Sequence, residues 1–396
     1  MKKNKIDFRF DEDICTHFAD EPSQYMGAVT PPIFATSIHA FDTMEDMNRA
    51  PNDGDGRYIY GRVCNPTVEI FEKKVAALER AEMAVAFGSG AAALASVLTA
   101  FVSAGDHIVM MESAYGSAQE CVRQLARFNV GCSLVTGWDM DELIGALQAH
   151  TKLIYLESPS SMTFTLQDLR AVAQVARSRG ILTAIDNTWA TPLHQKPITM
   201  GIDITMHTVS KYIGGHSDLI AGIVCGSQVL MRKIRDFRST YGGILSPFDA
   251  FLAIRGLRTL PVRLAAHEKA ALKVAKFLEK HPAVERVIYP ALESHPQHVL
   301  YRRQMSGACG LITFVPKGAT LKDAAKIVDN LRYFHITCSW GGYESLAIAF
   351  TIDPQGSAGK FYGLQSSGAV RIHVGTENTE LLMEDLAEAL KIELAE

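Results

Sequence analysis

The chain has no CxxC pair, no long run of Lys or Arg, and no apolar stretch behind its basic start MKKNK. Each absence argues against a class of function. The seven cysteines (Cys15, Cys64, Cys121, Cys132, Cys225, Cys309 and Cys338) are odd in number and unpaired in spacing. That pattern speaks against a disulfide framework or a zinc ribbon, leaves no metal-ligand set to read, and fits a reducing compartment. A formal net charge of −4 without basic clusters is no footprint for nucleic acid or an anionic membrane. The segment MKKNKIDFRFDEDI lacks the apolar core of a signal peptide, so a cytoplasmic location is expected. Internal repeats and low-complexity tracts are also missing.

One uncharged stretch, Met83 to Gly105, is long enough to span a bilayer. Gly88, Ser89, Gly90, Ser96, Thr99 and Ser103 interrupt it, and Ala makes up much of the remainder. A buried strand, a glycine turn and a buried helix account for it better.

A length of 396 residues allows two or three domains, or one large domain with an appendage. Residues 1–60 read as an irregular arm, with turn signals at Pro31-Pro32 and from Pro51 to Gly56. Helical periodicity starts at Pro66, with Asn65 placed as its cap. The apolar runs MAVAF, HIVMM, LIYLE, LTAID and ITMHTVS then alternate with helical patterns such as SAQECVRQLARF and LQDLRAVAQVARSRG. Such alternation predicts an α/β fold with a mostly parallel sheet covered by helices over residues 61–258. From 259 to 396 the pattern turns α+β: the long helix VRLAAHEKAALKVAKFLEKH, ending at Pro282, precedes mixed strands and a last helix. A smaller C-terminal domain is expected there.

Three strand ends carry reactive groups, where ligands gather in open α/β sheets. Gly88-Ser89-Gly90-Ala91-Ala92-Ala93 lies between a strand and a helix, and its backbone N–H groups suit a phosphate. The same run matches the dinucleotide pattern G-x-G-x-x-G/A, with Glu112 about twenty residues on, which keeps an NAD-dependent dehydrogenase open. Asp186 ends LTAID, where a carboxylate either meets a cation or caps the next segment. Lys211 follows a strand among hydroxyls and glycines in Thr208-Val209-Ser210-Lys211-Tyr212-Ile213-Gly214-Gly215. A desolvated Lys loses its proton and attacks aldehydes; a snorkelling surface Lys is the plain alternative. Taken together, a nucleophilic Lys, an acid and a phosphate cradle are what pyridoxal 5′-phosphate (PLP) requires.

The segments SKYIGGHSD, AVTPPIFATS, Tyr60-Gly61-Arg62, ESAYGS, LESPSS, IDNTWATP, RGLRTLPVR and RIHVGTEN resemble the cystathionine/methionine-metabolism family of fold-type-I PLP enzymes, over about Ala28 to Leu390. The resemblance implies an aspartate-aminotransferase-like fold. It implies that Lys211 anchors the cofactor and moves protons, and that Asp186 pairs with the pyridinium. Gly90, Ala91, Thr208 and Ser210 would bind the phosphate, and Tyr115, a candidate catalytic group, would stack on the ring. Tyr60 and Arg62 would reach a neighbouring subunit's site, so an oligomer, a homotetramer by family habit, is implied. Ser339, Arg371, Trp340 and Tyr60 would contact the amino-acid substrate. Within the family, Ser339-Trp340-Gly341-Gly342-Tyr343-Glu344-Ser345-Leu346, IDNTWA and LESPSS look most like bacterial cystathionine β-lyases. The expected reaction is thus β-elimination of L-cystathionine or related S-substituted cysteines to pyruvate, ammonia and a thiol. A γ-lyase or γ-synthase is the alternative; an aminotransferase and a non-catalytic paralogue fit less. Ser161 and Cys338 depart from the pattern and leave the distal substrate group open.

Overall fold

Residues 8–50 and 57–391 are described by a computed structural model. The turn signals read at 51–56 lie outside the described residues. Seven strands form the larger sheet: β1 (Met83–Phe87), β2 (His107–Met111), β3 (Gly131–Val135), β4 (Thr151–Glu157), β5 (Leu182–Asp186), β6 (Ile204–Thr208) and β7 (Gly222–Gly226). Their spatial order is β1-β7-β6-β5-β4-β2-β3. Only β7 runs against its neighbours, β1 and β6; the other pairs are parallel. β2 is buried along its whole length, and β5 and β6 at all but one end residue each, as apolar runs require when helices cover both faces. Each fully buried Leu, Ile or Val contributes about 1.5–3 kcal/mol.

Two strands escape the sequence reading. β3 (GCSLV) is largely exposed at the sheet edge, so it carries little apolar signal. β7 (GIVCG) is short and bracketed by glycines, and only its two partners mark it as a strand.

A second, five-stranded sheet has the order β10-β11-β12-β9-β8, built from β8 (Val284–Ile288), β9 (Leu311–Pro316), β10 (His335–Ile336), β11 (Leu346–Thr351) and β12 (Gly368–His373). It is antiparallel apart from the short β10–β11 pair. The helix Pro247–Lys280 links the two sheets. It begins fifteen residues earlier than the pattern VRLAAHEKAALKVAKFLEKH and runs straight through position 258 and Pro261. Proline removes one backbone donor and crowds the preceding turn. Here the buried face from Ala250 to Leu278 holds the helix together across it.

Residues 8–50 are less irregular than expected. Asp11–His17 forms a helix with Ile14 and Cys15 buried. It is tied down by Asp11, which pairs with Arg80 and Lys196 at 2.7 Å each. Further on, Lys74 is completely buried and paired with Asp20 at 3.0 Å. Asn65 caps the helix Pro66–Glu79 as its sequence suggests, accepting from Thr67 and Val68 N–H. Among the described residues no helix is long and apolar enough to cross a membrane.

Candidate active site

The carboxyl ends of β1, β2, β4, β5 and β6 lie on one edge of the large sheet, and each delivers a site residue. β1 leads into Ser89-Gly90, and β2 into Tyr115. β4 ends on Glu157, β5 on Asp186, and β6 leads into Lys211. Because β7 is antiparallel, its first residue, Gly222, comes to the same edge.

Lys211 is half-buried, and its Nζ donates to Ser339 Oγ at 2.8 Å. The same nitrogen lies 5.4 Å from the centre of the Trp340 ring. Burial first, and then the Arg371 cation, lower its pKa to about 8. A neutral amine is therefore available near neutral pH, as a nucleophile toward an aldehyde requires. Gly341, at φ +88°, lies against the Lys211 backbone; a Cβ there would stand 2.7 Å from Tyr212 N. Glycine is demanded at that point by both conformation and space. Arg263, on the linking helix, donates to the Tyr212 carbonyl at 2.8 Å and so holds the lysine turn from behind.

Asp186 is buried. Its hydrogen bonds among the described residues come from Thr188, whose N–H lies at 2.9 Å and whose hydroxyl also donates, both to Oδ1. Burial pushes its pKa up, against the pull of Thr188, His207 and Lys211. A buried carboxylate without a bonded cation suits a ligand that brings a positive group. A protonated pyridine nitrogen is such a group. Thr188 Oγ1 in turn accepts from Thr208 N–H at 2.8 Å, linking Asp186 to the end of β6.

Gly90 opens the helix Gly90–Thr99, capped by Ser89 Oγ on Ala92 N–H at 3.0 Å. A Cβ on Gly90 would run into Thr208, with Cγ2 at 2.8 Å and Oγ1 nearer still. A Cβ on Gly222 would strike the Ser89 carbonyl. Two glycines thus let the helix start, with Ala91 exposed beside it, approach the Thr208 hydroxyl without a side chain between. The cradle fits a phosphate. Ser210 is engaged otherwise: its hydroxyl accepts from Ala221 N–H at 3.1 Å and donates to the Ala221 carbonyl at 3.4 Å.

Arg371, on β12, is buried and points its fork between the two sheets. Nη1 donates to the Ser161 carbonyl at 3.1 Å and Nη2 to the Cys338 carbonyl at 2.7 Å. Burial lowers its pKa to about 10. Tyr115 is half-exposed, and its backbone N–H donates to Glu157. Tyr60 and Arg62 stand apart from this group within the chain. The Arg62 guanidinium lies 5.3 Å from the Tyr60 ring centre and donates to the Ser239 carbonyl, and Tyr60 bridges Ile38.

Three residues here had no role in the sequence reading. Glu157, Thr188 and Arg263 lie within the segments LESPSS, IDNTWATP and RGLRTLPVR, but nothing in those strings shows what they touch. Glu112, the candidate ribose partner of an NAD site, instead accepts from Ser357, beside the second sheet.

A strand-end lysine with a lowered pKa, an acid without a bonded cation and a glycine-lined helix start are groups that fit pyridoxal phosphate. A family model described as Cys/Met metabolism PLP-dependent enzyme matches residues 13–391. The chain is 37% identical over 373 residues to an L-methionine γ-lyase of Fusobacterium nucleatum subsp. polymorphum, covering 92% of this chain and 94% of that one. It is 38% identical over 383 residues to the cystathionine γ-lyase of Homo sapiens, covering 95% and 92%. The crystal structure of metB from Corynebacterium glutamicum superposes with a TM-score of 0.87 at 32% identity, covering 97% of this chain and 98% of that one. The chain belongs to the Cys/Met metabolism PLP-dependent enzyme family, so its cofactor is PLP, and the NAD reading falls away. The curated relatives named here are γ-lyases, which fits the γ-elimination alternative better than the β-elimination expected from residues 339–346.

Proposed function

We propose that the protein is a carbon–sulfur lyase that eliminates the γ-substituent of a sulfur amino acid of the cystathionine or methionine type, giving 2-oxobutyrate, ammonia and a thiol. The observation that carries this reading is the setting of Lys211. Its amine is held by one hydrogen bond, to Ser339, beside an aromatic face and near a buried Arg. An amine so lightly tied can serve more than one carbon of the substrate. The names of the γ-lyase relatives support the choice of γ over β.

PLP, bound through Lys211, supplies an electron sink that makes the Cα–H bond acidic. The protein supplies the rest. Asp186 would hold a proton at the pyridine nitrogen, and the Gly90–Ala91 backbone with Thr208 would hold the phosphate; Ser210, bonded to Ala221, steadies the turn. Tyr115 would cover the ring face. Arg371 and Ser339 take the substrate carboxylate, the guanidinium offering N–H groups in a planar fork. That contact would place Cα beside Lys211 Nζ; once the substrate's amino group has replaced Lys211 on the aldehyde carbon, the freed amine would remove the Cα proton. For γ-elimination the amine would first hand that proton on to the electron sink, then take a second one from Cβ and return it to the departing sulfur, and water would release 2-oxobutyrate and ammonia. Trp340 keeps the amine's surroundings dry.

Tyr60 and Arg62, whose contacts in their own chain are with each other, Ser239 and Ile38, fit contact with the phosphate or substrate of a neighbouring subunit. The assembly is then a homo-oligomer with shared sites. β-Elimination stays as the second reading, on the strength of residues 339–346 together with IDNTWA and LESPSS.

Product analysis with L-cystathionine and L-methionine tests the proposal. It expects 2-oxobutyrate with cysteine from the first, and 2-oxobutyrate with methanethiol from the second if the pocket accepts a small thioether. Pyruvate with homocysteine from cystathionine would overturn it in favour of β-elimination.

A further inference from the structure

Glu157 is a buried carboxyl group that belongs to no ion pair among the described residues. It stands directly opposite Asp186 on the neighbouring parallel strand. Two acids side by side in the interior are costly: burial first, and then repulsion from Asp186, raise the pKa of Glu157 to about 8, while the Tyr115 and Ser161 N–H groups favour the ionised form, in which both oxygens accept. A packing role would be served better by an apolar residue. Its two oxygens are both committed. Oε2 accepts from Tyr115 N–H at 2.6 Å, and Oε1 accepts from Ser161 N–H at 2.8 Å. The carbonyl of Ser161 is the one that receives Arg371 Nη1. Nη2 of the same guanidinium reaches the Cys338 carbonyl, one residue before the Ser339 that receives Lys211.

A single hydrogen-bonded path therefore circles the pocket, from Tyr115 through Glu157, Ser161, Arg371 and the 338–339 backbone to Lys211. Glu157 is the only member of that path that ties the loop after β2 to the loop after β4. We infer that Glu157 is a positioning residue: its carboxylate, gripping two main-chain N–H groups, sets the gap between the ring-covering Tyr115 and the carboxylate-binding Arg371. This rests on the roles given above to Tyr115 and Arg371. Glutamine cannot replace it, because an amide has one accepting oxygen, and its NH₂ would face the second N–H donor. One of the two grips is lost in Glu157→Gln, while the side-chain volume is kept.

The test uses holoenzyme and two ligands that bind without elimination, L-alanine and ethylamine. Ethylamine lacks the carboxylate that Arg371 would hold. The visible cofactor band is titrated with each at a pH above 8, where Glu157 is ionised, and its circular dichroism is recorded. For Glu157→Gln the inference expects L-alanine half-saturation to rise by about tenfold or more, the scale of one charged hydrogen bond lost. It expects ethylamine to bind as in wild type, and the visible dichroism to change because Tyr115 has shifted. A merely structural carboxyl would lower the melting temperature and leave the alanine-to-ethylamine ratio intact. If Glu157→Gln does not fold, Glu157→Asp carries the same comparison, since it keeps both oxygens but withdraws them by one methylene. A responsive wild type beside a variant with unchanged ratio and dichroism overturns the inference alone. A wild type that prefers neither ligand overturns the reading of Arg371 and this inference with it.

Discussion

Lys211 Nζ stands 2.8 Å from Ser339 Oγ, although 128 residues separate them in the chain. The first belongs to the turn after β6 of the large sheet, the second to the approach to β11 of the small one. The reacting amine is thus placed by both sheets at once, and its properties follow from that.

Removal of the amine should end turnover. Lys211→Ala deletes the cofactor anchor and the proton carrier together, so kcat should fall by about a thousandfold or more. The fold should persist, because the lost side chain is only half-buried and makes one side-chain hydrogen bond. Melting temperature and steady-state kinetics, measured in parallel, check both halves; a variant retaining a tenth of wild-type turnover would sink the assignment.

The lowered pKa of Lys211 has a pH signature in apoenzyme. Only the neutral amine captures the aldehyde of PLP, so the capture rate should rise with pH about a midpoint near 8 rather than 10.5. Arg371→Leu removes the second-largest cause of the lowering, and the midpoint should move up. The linked effect on stability has a defined sign. Between about 8 and 10.5 the unfolded chain binds the proton that the folded one has released, so apoenzyme stability climbs with pH across that window. Stopped-flow capture and pH-dependent thermal melts read the two.

Arg371→Lys keeps a positive charge but not the planar fork. KM for the amino acid should rise by tenfold to a hundredfold, in line with about 1.5–3 kcal/mol for a charged hydrogen bond. Because the fork also serves the Ser161 and Cys338 carbonyls, a fall in stability should accompany it. An unchanged KM would show that the substrate carboxylate is held elsewhere.

Gly222→Ala tests the phosphate cradle without removing a polar group. The new methyl would collide with the Ser89 carbonyl and lie 2.8 Å from Ala93 Cβ. Overpacking of this kind costs about 1–3 kcal/mol. It should also push the start of the helix Gly90–Thr99 off Thr208 and weaken PLP retention, measured by fluorescence titration of apoenzyme. Normal cofactor affinity in a destabilised variant would separate the glycine's packing role from the cradle.

Behind the site, Glu79 and His207 form a fully buried pair at 2.5 Å, and Glu79 also accepts from Asn187, the residue after Asp186. Glu79→Ala leaves two buried polar groups without that partner and should cost about 1–3 kcal/mol for each. Denaturant unfolding measures it. A loss under 1 kcal/mol would mean that the cavity rehydrates at little cost.

The order of strands along the chain was legible because period and burial are local. MAVAF, HIVMM, LTAID and the start of ITMHTVS are apolar runs of strand length, and they coincide with β1, β2, β5 and β6. β3 and β7 were not legible. One is an exposed edge and the other is defined by its partners, and neither condition leaves a mark in a short string of residues. The sequence pattern starts the long helix at Val262, whereas the helix Pro247–Lys280 begins fifteen residues earlier, since tertiary burial outweighs the hydrogen bond missing at Pro261.

By itself the sequence determined the chemistry that the site can offer: an amine, an acid and a glycine turn, each at the end of an apolar run, together with the resemblance they support. Only the tertiary structure decided how those groups behave. It buried Lys211 beside Arg371, set Glu157 opposite Asp186, joined Tyr115 to Ser161 through one carboxyl group, and turned Glu112 toward Ser357. The physical reason is range. Side-chain identity and hydrophobic period are properties of neighbours in sequence, whereas desolvation, charge coupling and hydrogen-bond closure depend on partners brought together from 100 residues away or more, as Lys211 and Ser339 are.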